Sequence, residues 1–311
     1  MITGIFAGIT WALETVIISL ALSAFVSTAE GIFLAPFVST FLHDLCSAVY
    51  MWIYNGTKLR EVFKLFKSKD FKWLIAASAI GGPIGMTGYI LAVNYMGASI
   101  GAIASAVYPA IGSLLAFLFL KEKIKWYQWI FLIITLLGVF GISYTPELDV
   151  KNFWLGLLGA FMCAFGWGIE GVILSKCLKE IKSDYALQIR QTTSAVIYGL
   201  FIIPLLKGWK FTLSLSDNYA VLSVIALAAF FATASYLLYY KTIAKLGVAK
   251  AMGLNITYTA WSLIFSVIIF KNYTLLNPVT LICGAVVVVC GILSATDIKE
   301  NVKKVQNARK C

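Results

Sequence analysis

Apolar residues fill this chain in long windows that short polar or charged stretches separate. A helix needs about 20 apolar residues to cross a hydrocarbon core of about 30 Å, and ten windows have that length. Strands of a membrane barrel would alternate in polarity over shorter segments, so the windows predict helices. The predicted spans cover residues 2–27, 33–54, 73–96, 99–120, 126–145, 153–176, 185–206, 218–240, 248–270 and 277–296.

The composition agrees with a polytopic membrane protein. Of the 311 residues, 60% are hydrophobic and 13% are charged, and the mean hydropathy is +0.88. Soluble domains carry about 25% charged residues. We therefore predict an all-α polytopic membrane protein with ten transmembrane helices. The first window has no basic segment before it, so we interpret it as a retained helix rather than a cleaved signal peptide.

Lys and Arg residues fall mostly on one side of the predicted membrane. If the N-terminus is cytosolic, twenty lie in inner loops and the tail, four lie in outer loops, and Arg190 lies inside a span. The positive-inside rule then predicts that both termini are cytosolic. This distribution accounts for the net charge of +11, so nucleic-acid binding is not indicated. Because the sequence has no disulfide spacing, metal-ligand spacing or phosphate-binding loop, we predict no metal, no cofactor and no ATP-driven pump.

The chain repeats itself in two halves. ITWALETVI (9–17) in the first span and FGWGIEGVI (165–173) in the sixth share the pattern W-x-x-E. Two further alignments pair LHDLCSAV (42–49) with IRQTTSAV (189–196), and YMGASIGAIASAVYPA (95–110) with KLGVAKAMGLNITYTA (245–260). Five spans therefore repeat as five. Because five is odd, the second copy begins on the opposite side of the membrane, which makes the halves inverted repeats.

This repeat predicts the domain organisation and the place of a site. We expect one five-helix repeat over 1–150, a second over 151–296 and a basic cytosolic tail over 297–311. Inverted repeats are typical of secondary transporters, whose substrate site lies near the membrane midplane where the repeats meet. The sequence therefore favours transport by alternating access.

Five ionisable residues lie deep in the predicted spans, namely Glu14, His43, Asp44, Glu170 and Arg190. A charge at the bilayer centre costs about 2.5–3.5 kcal/mol, so each is a candidate functional residue. A purely structural role stays open, since Arg190 can pair with Asp44 or Glu170 and tie helices together. Three carboxyl groups against one arginine disfavour an anionic substrate and fit a cation, a zwitterion or a bound proton.

Aromatic residues accompany two of these carboxyl groups. Trp11 and Trp167 stand three residues before Glu14 and Glu170, so each indole shares a helix face with a carboxylate. A quaternary ammonium has no N–H donor and is held by cation–π attraction and a counter-charge, which such a face supplies. Packing or interfacial anchoring is the alternative for any one ring. Further candidates in the second half are Tyr236, Tyr239 or Tyr240, Asn255, Tyr258 and Trp261.

Several stretches together carry a resemblance to known proteins. They are HDL (43–45), GPIGM (82–86), ASAVYPAIGSLLAF (104–117), CAFGWGIEGV (163–172), IRQTTS (189–194), YLLYY (236–240) and AKAMGLNITYTAW (249–261). With the ten-span plan, they resemble the drug/metabolite transporter superfamily and, in detail, its LicB-type choline permeases. The resemblance covers nearly the whole chain and weakens after Thr296.

The resemblance implies an importer of choline, a quaternary ammonium alcohol, in a bacterial cell membrane, with uptake coupled to protons. The expected substrate-binding residues are Trp11, Glu14, Trp167, Glu170, Tyr236, Tyr239, Asn255, Tyr258 and Trp261. One glutamate would neutralise the ammonium and the other would carry the proton, because burial favours a protonated carboxyl group. The expected charge network consists of Glu14, His43, Asp44, Arg190 and Gln191. We expect Pro83, Tyr108 and Pro109 to take part in gating, the prolines by bending their spans.

Two other functions stay open. An amino-acid or drug exporter of the same superfamily would need Arg190 free to bind a substrate carboxylate, so the pairing of Arg190 discriminates between the two transporters. A membrane enzyme acting on lipid would need paired His or Asp motifs near the interface, and the sequence has none. The preferred quaternary amine, the proton-carrying acid and a homodimeric state are not determined by the sequence.

Overall fold

The computed structural model describes residues 1–23, 29–144, 150–271 and 273–297, and every regular element within these ranges is helical. The α-helices are α1 (Ile2–Ser23), α2 (Ala29–Tyr54), α3 (Leu59–Leu65), α4 (Lys69–Ala79), α5 (Gly85–Ser105), α6 (Tyr108–Phe119), α7 (Trp126–Ser143), α8 (Phe153–Cys177), α9 (Ser183–Ile197), α10 (Ile203–Leu205), α11 (Trp209–Ser214), α12 (Tyr219–Leu246), α13 (Val248–Asn255), α14 (Tyr258–Phe270) and α15 (Pro278–Ser294). Two π-helical turns cover Ile80–Ile84 and Tyr198–Ile202, and two 3-10 turns cover Gly56–Lys58 and Tyr273–Leu275.

Seven helical segments in the described ranges are long and apolar enough to cross a membrane. The chain is therefore an all-α, multi-pass membrane protein, as predicted. The segments are Ile2–Leu22, Phe33–Tyr54, Lys69–Gly97, Trp126–Ser143, Phe153–Cys177, Tyr219–Leu246 and Val248–Phe270. Helices α6 and α15 are apolar but shorter. Helix α9 is shorter and more polar, and it contains the buried residues Gln188, Arg190 and Gln191.

Helices occupy all ten predicted windows, but several bounds differ. Helix α1 ends at Ser23, and residues 24–28 lie outside the described ranges. The third helical segment begins at Lys69, four residues before the predicted span, because the Ser68 side chain caps the backbone N–H of Phe71. Of the predicted tail, residues 298–311 lie outside the described ranges.

Two predicted spans are each broken into two helical pieces. Gly97 and Gly247 have φ angles of 81° and 87°, a conformation that residues with a side chain rarely adopt. These two glycines lie just before the two spans. The chain turns at Gly97, which divides α5 into two pieces, and at Gly247, which separates α12 from α13. A second interruption separates α5 from α6 and α13 from α14. The spans predicted over 99–120 and 248–270 are therefore interrupted at positions that the sequence repeat aligns.

Helix packing follows the same repeat. Helix α1 packs along α12, and α5 packs along α8; α1 also contacts α14, and α6 contacts α8. Helices α2 and α9 form one further pair, and α7 and α15 form another. Exchanging the helices of one half for the aligned helices of the other leaves this set of pairs unchanged.

Polar contacts join the loops on the face predicted to be cytosolic. Glu122 accepts hydrogen bonds from the backbone N–H groups of Val248 (2.8 Å) and Ala249 (3.2 Å) at the start of α13. A carboxylate at this position stabilises the positive end of the helix dipole. Asp297 lies 2.6 Å from Lys250 Nζ and 3.0 Å from Lys125 Nζ. The hydrogen bond from Lys250 and the nearby Lys125 hold the pKa of the Asp297 carboxyl below its usual value.

Candidate functional site

A cavity lies where helices of the two halves meet. Its lining is mostly aromatic and contains one carboxylate. The lining residues are Trp11 on α1, Tyr108 on α6, Trp167, Glu170, Gly171 and Leu174 on α8, Tyr236, Tyr239 and Tyr240 on α12, Asn255 on α13 and Tyr258 on α14. The two helix interruptions bring Tyr108 and Tyr258 to this cavity, because each tyrosine begins the helix that follows a break.

The rings at and beside the cavity form two equivalent sets, and of these rings Tyr89 is not a lining residue. Each tryptophan of the W-x-x-E pattern contacts two tyrosines, one from the helix packed along its own and one from the helix that follows a break. Ring centroids are 4.8 Å apart for Trp11 and Tyr236, 6.2 Å for Trp11 and Tyr258, 6.0 Å for Trp167 and Tyr89, and 5.4 Å for Trp167 and Tyr108. The rings are mostly edge to face, the arrangement that aromatic pairs favour.

A π-helical turn makes room for the carboxylate of the cavity. Pro83 has no N–H group, so the α-helical hydrogen-bond ladder fails over Ile80–Ile84. Trp167 Nε1 donates to the carbonyl oxygen of Gly81, at 3.0 Å. A side chain at Gly81 would overlap the carboxylate of Glu170, and one at Gly85 would press on the Trp167 ring. The glycines of this turn thus admit the acid and the indole.

Each nitrogen of the Arg190 guanidinium donates to a protein group. Its Nε donates to Glu170 Oε1 at 3.2 Å, and its two terminal nitrogens donate to Gln191 Oε1 at 2.7 Å and to Tyr236 Oη at 3.2 Å. Asp44 Oδ2 lies 3.6 Å from the same guanidinium. Only 3% of Arg190 is exposed, so no free face remains for a substrate carboxylate.

Besides Glu170 and Arg190, a second pair of an acidic and a basic side chain lies beside the cavity, on α1 and α2. Glu14 Oε1 is 3.7 Å from His43 Nε2, and the other imidazole nitrogen, Nδ1, is 3.0 Å from Asp44 Oδ1. His43 Nε2 is buried and has no hydrogen-bond partner among the described residues. Thr15 Oγ1 donates to the second oxygen of Glu14 at 3.3 Å.

These polar groups repeat in the same way as the rings. In the alignment of 42–49 with 189–196, His43 aligns with Arg190, so the pairs Glu14–His43 and Glu170–Arg190 occupy equivalent places. Each base also bonds the side chain of the residue that follows it. The Asp44 carboxylate accepts from Ser194, and the equivalent bond runs from Gln191 Nε2 to Ser47 Oγ at 2.8 Å.

Asn255 lines the cavity, and one of its polar atoms has no partner among the described residues. Its Nδ2 donates to Tyr108 Oη at 3.0 Å, whereas its Oδ1 is buried and has no hydrogen-bond partner among the described residues. Only 6% of Asn255 is exposed. A buried acceptor without a partner costs about 1–3 kcal/mol, so the site favours a ligand that donates a hydrogen bond there.

The structure brings together most, but not all, of the residues selected from the sequence. Glu14 and Trp261 were expected in the substrate site, but they are not among the lining residues. Glu14 contacts His43 instead, and the buried Trp261 Nε1 has no hydrogen-bond partner among the described residues. Pro83 lies in the π-turn, whereas Pro109 is at the start of α6, where proline does not bend a helix.

Sequence reasoning also missed several contributors. Tyr108 was selected for gating but lines the cavity, and Tyr89 was not selected although it stacks near Trp167. Ser47 and Ser194 join the charge network. The alignment of SAV at 47–49 with SAV at 194–196 was the available signal for this serine pair.

Comparison with known proteins agrees with this architecture. The sequence model of the EamA-like transporter family matches residues 1–144 and 154–296. Protein LicB of Haemophilus influenzae is 30% identical over 289 residues, covering 90% of this chain and 91% of LicB. The riboflavin transporter ImpX of Fusobacterium nucleatum subsp. nucleatum is 24% identical over 273 residues, covering 85% of this chain and 88% of ImpX.

Solved structures share the fold. One crystal structure of a protein superposes with a TM-score of 0.71 at 16% sequence identity, over 96% of this chain and 98% of the other. At that identity the similarity concerns the fold alone. With a family match over both halves and a 30% identical relative of nearly full length, the chain belongs to the EamA-like transporter family.

Proposed function

We propose that this protein imports choline, or a closely related quaternary ammonium alcohol, across the bacterial cell membrane by alternating access. The observation that carries the proposal is the cavity in which tryptophan and tyrosine rings surround the buried Glu170. A quaternary ammonium offers no N–H donor, so rings and a counter-charge are the groups that recognise it. Each well-placed ring contributes about 0.5–2 kcal/mol of cation–π attraction.

The charges of the site favour a cation over an amino acid. An exporter of amino acids would need a free cation to bind the substrate carboxylate, but Arg190 is bonded to Glu170, Gln191 and Tyr236. Glu14, Asp44 and Glu170 outnumber this one arginine. The remaining negative charge attracts a cation and repels a carboxylate. The exporter is therefore the weaker alternative.

The unpaired Oδ1 of Asn255 favours an alcohol. The hydroxyl group of choline can donate to this oxygen while the ammonium lies among the rings. A carboxylate in the place of the hydroxyl, as in betaine, would bring two acceptors together. Asn255 is thus the residue that we assign to recognition of the hydroxyl group.

The proposed architecture has ten transmembrane helices in two inverted repeats, with both termini cytosolic. Support comes from the family match to each half, from the glycines at aligned helix breaks and from helix pairs that persist when the halves are exchanged. In such transporters the halves rock about a site at their interface. The cavity lies at that interface, so motion of the halves would expose it to each side in turn.

Two driving forces can act on import. A membrane potential that is negative inside favours entry of a cation by about 2.3 kcal/mol per 100 mV. A proton bound to one of the buried acids would add the proton gradient. We propose proton-coupled import.

Uptake of radiolabelled choline into proteoliposomes tests the function. We expect saturable uptake that unlabelled choline blocks and that unlabelled riboflavin and leucine do not. In Glu170→Gln, loss of the counter-charge should raise the KM for choline at least tenfold. The conservative change Val172→Ile, on the same helix, is the matched control. Absence of choline uptake under any gradient, by protein that is folded, would contradict the proposal.

A further inference from the structure

We infer that the Glu14–His43 pair is the coupling-proton site, and that one proton and one choline are carried together. The inference rests on the proposed choline import and adds the place and the number of the protons. The Glu14–His43 and Glu170–Arg190 pairs occupy equivalent places in the two halves. Glu170 faces a guanidinium that stays charged, whereas Glu14 faces an imidazole that can gain or lose a proton.

The geometry of His43 leaves one nitrogen to receive the proton. Its Nδ1 is bonded to Asp44 Oδ1 at 3.0 Å, which fixes the hydrogen on Nδ1 when the ring is neutral. The lone pair of Nε2 then faces Glu14 Oε1 at 3.7 Å, and Nε2 has no other partner among the described residues. Two buried acceptors that face each other are satisfied together by a single proton between them.

The other two acids are already paired with a cation that stays charged. Asp44 and Glu170 lie 3.6 Å and 3.2 Å from Arg190. Among the described residues, Glu14 pairs with no lysine or arginine. The phenols of Tyr89 on α5, Tyr236 on α12 and Tyr258 on α14 lie near Glu14 and offer no positive charge to it.

The charge balance gives the stoichiometry. Glu14, Asp44 and Glu170 with Arg190 leave two negative charges when His43 is neutral. One choline and one proton cancel both. Burial penalises a net charge, so the transporter changes from its outward-facing to its inward-facing state most readily when choline and the proton are both bound. The proton forms an N–H bond at His43 or an O–H bond at Glu14 on the outer side, and the same bond breaks when the proton leaves to cytosolic water.

Two substitutions should convert the symporter into an uncoupled carrier. Glu14→Gln removes one negative charge, and His43→Arg copies the fixed cation of the other repeat. Either change leaves a single negative charge, which choline alone cancels. In both variants, net choline uptake should not respond to a pH gradient.

The test measures the proton-to-choline ratio from reversal potentials in proteoliposomes loaded with a pH-sensitive dye, with the potential set by potassium and valinomycin. We expect one proton per choline for the wild type and none for Glu14→Gln and His43→Arg. Glu170→Asp is the contrasting variant, because it keeps the charge balance, should weaken choline binding by shortening the side chain, and should keep the ratio of one.

The outcomes separate the two proposals. Wild-type protein that exchanges choline but moves no proton would overturn the inference and leave choline import standing, whereas wild-type protein that exchanges no choline would overturn the import proposal itself. A ratio of one in Glu14→Gln would also overturn the inference. So would loss of choline binding in both variants at a wild-type melting temperature, since the pair would then belong to the choline site. Should the variants fail to fold, the wild-type ratio decides.

Discussion

At the scale of single residues, the position of the Glu170 carboxylate requires that residue 81 be a glycine, which has no side chain. The backbone of Gly81 lies so close to Glu170 that any Cβ would overlap the carboxylate. Gly81→Ala should therefore displace Glu170 from Arg190, at a cost of about 1–3 kcal/mol for overpacking. We expect the KM for choline to rise at least tenfold, as measured by proteoliposome uptake. Gly56→Ala is the control, because nothing lies within 4 Å of its added Cβ; equal KM values for both variants would contradict this account of the glycine.

The Asn255 side chain should set preference for a hydroxyl group. Wild-type protein should bind choline about tenfold more tightly than propyltrimethylammonium, in which a methyl group replaces the hydroxyl, because one hydrogen bond contributes about 0.5–1.5 kcal/mol. Asn255→Leu should abolish this difference and keep the affinity for propyltrimethylammonium. Isothermal titration calorimetry with both ligands measures the two affinities and the difference between them. O-methylcholine, which cannot donate, should bind wild-type protein as weakly as propyltrimethylammonium, and binding equal to that of choline would count against the acceptor role.

Residue types predicted the members of the site better than their contacts. The W-x-x-E pattern identified Trp11 and Trp167, and both line the cavity. Glu14 shares the pattern with Glu170 but contacts His43, because α2 supplies a base at the place where α9 supplies Arg190. Sequence spacing fixes which face of a helix a residue occupies. It does not fix which neighbouring helix covers that face.

At the scale of helices, the interruptions determine what reaches the cavity. The hydropathy windows predicted continuous spans over 99–120 and 248–270, since apolar character does not end at a break. Gly97 and Gly247 adopt positive φ angles, and the second interruption lets Tyr108 and Tyr258 begin new helices at the cavity. The matching glycines were visible in the repeat alignment. Their backbone conformation was not, because glycine is common at helix packing contacts as well as at breaks.

The contacts of Asp297 predict a pH-dependent stability. Its pKa is lowered from the usual 3.8 mainly by the hydrogen bond from Lys250, so the carboxylate stabilises the fold above that pH and loses this contribution as the pH falls through the lowered value. Asp297→Asn should reduce stability at pH 7 by about 0.5–1 kcal/mol, as expected for a partly exposed ion pair. Thermal unfolding in detergent measures the change.

The difference between Asp297→Asn and wild type should fade at acidic pH, where both side chains are uncharged. Asp217→Asn is the control, since Asp217 is exposed in the loop before α12 and the same substitution there should change the melting temperature little at any pH. A stability difference for Asp297→Asn that is constant down to pH 3 or lower would contradict the ion-pair explanation.

At the scale of the whole molecule, the charge distribution predicts the orientation. In a chain whose six cysteines are replaced by serine, Asp217→Cys should react with an impermeant maleimide added outside intact cells. Glu180→Cys should react only after the membrane is permeabilised. Both positions are exposed, so access alone decides the labelling. The reverse pattern would place the termini outside and contradict the positive-inside interpretation.

The most direct measurement locates the cation itself. Arsenocholine replaces the choline nitrogen with arsenic, whose anomalous scattering marks the position of the cation in a crystal of the complex. We expect one strong peak between the rings of Trp11, Trp167, Tyr236 and Tyr258, near the carboxylate of Glu170. Binding of arsenocholine with the peak outside this aromatic cavity would contradict the proposed cation site.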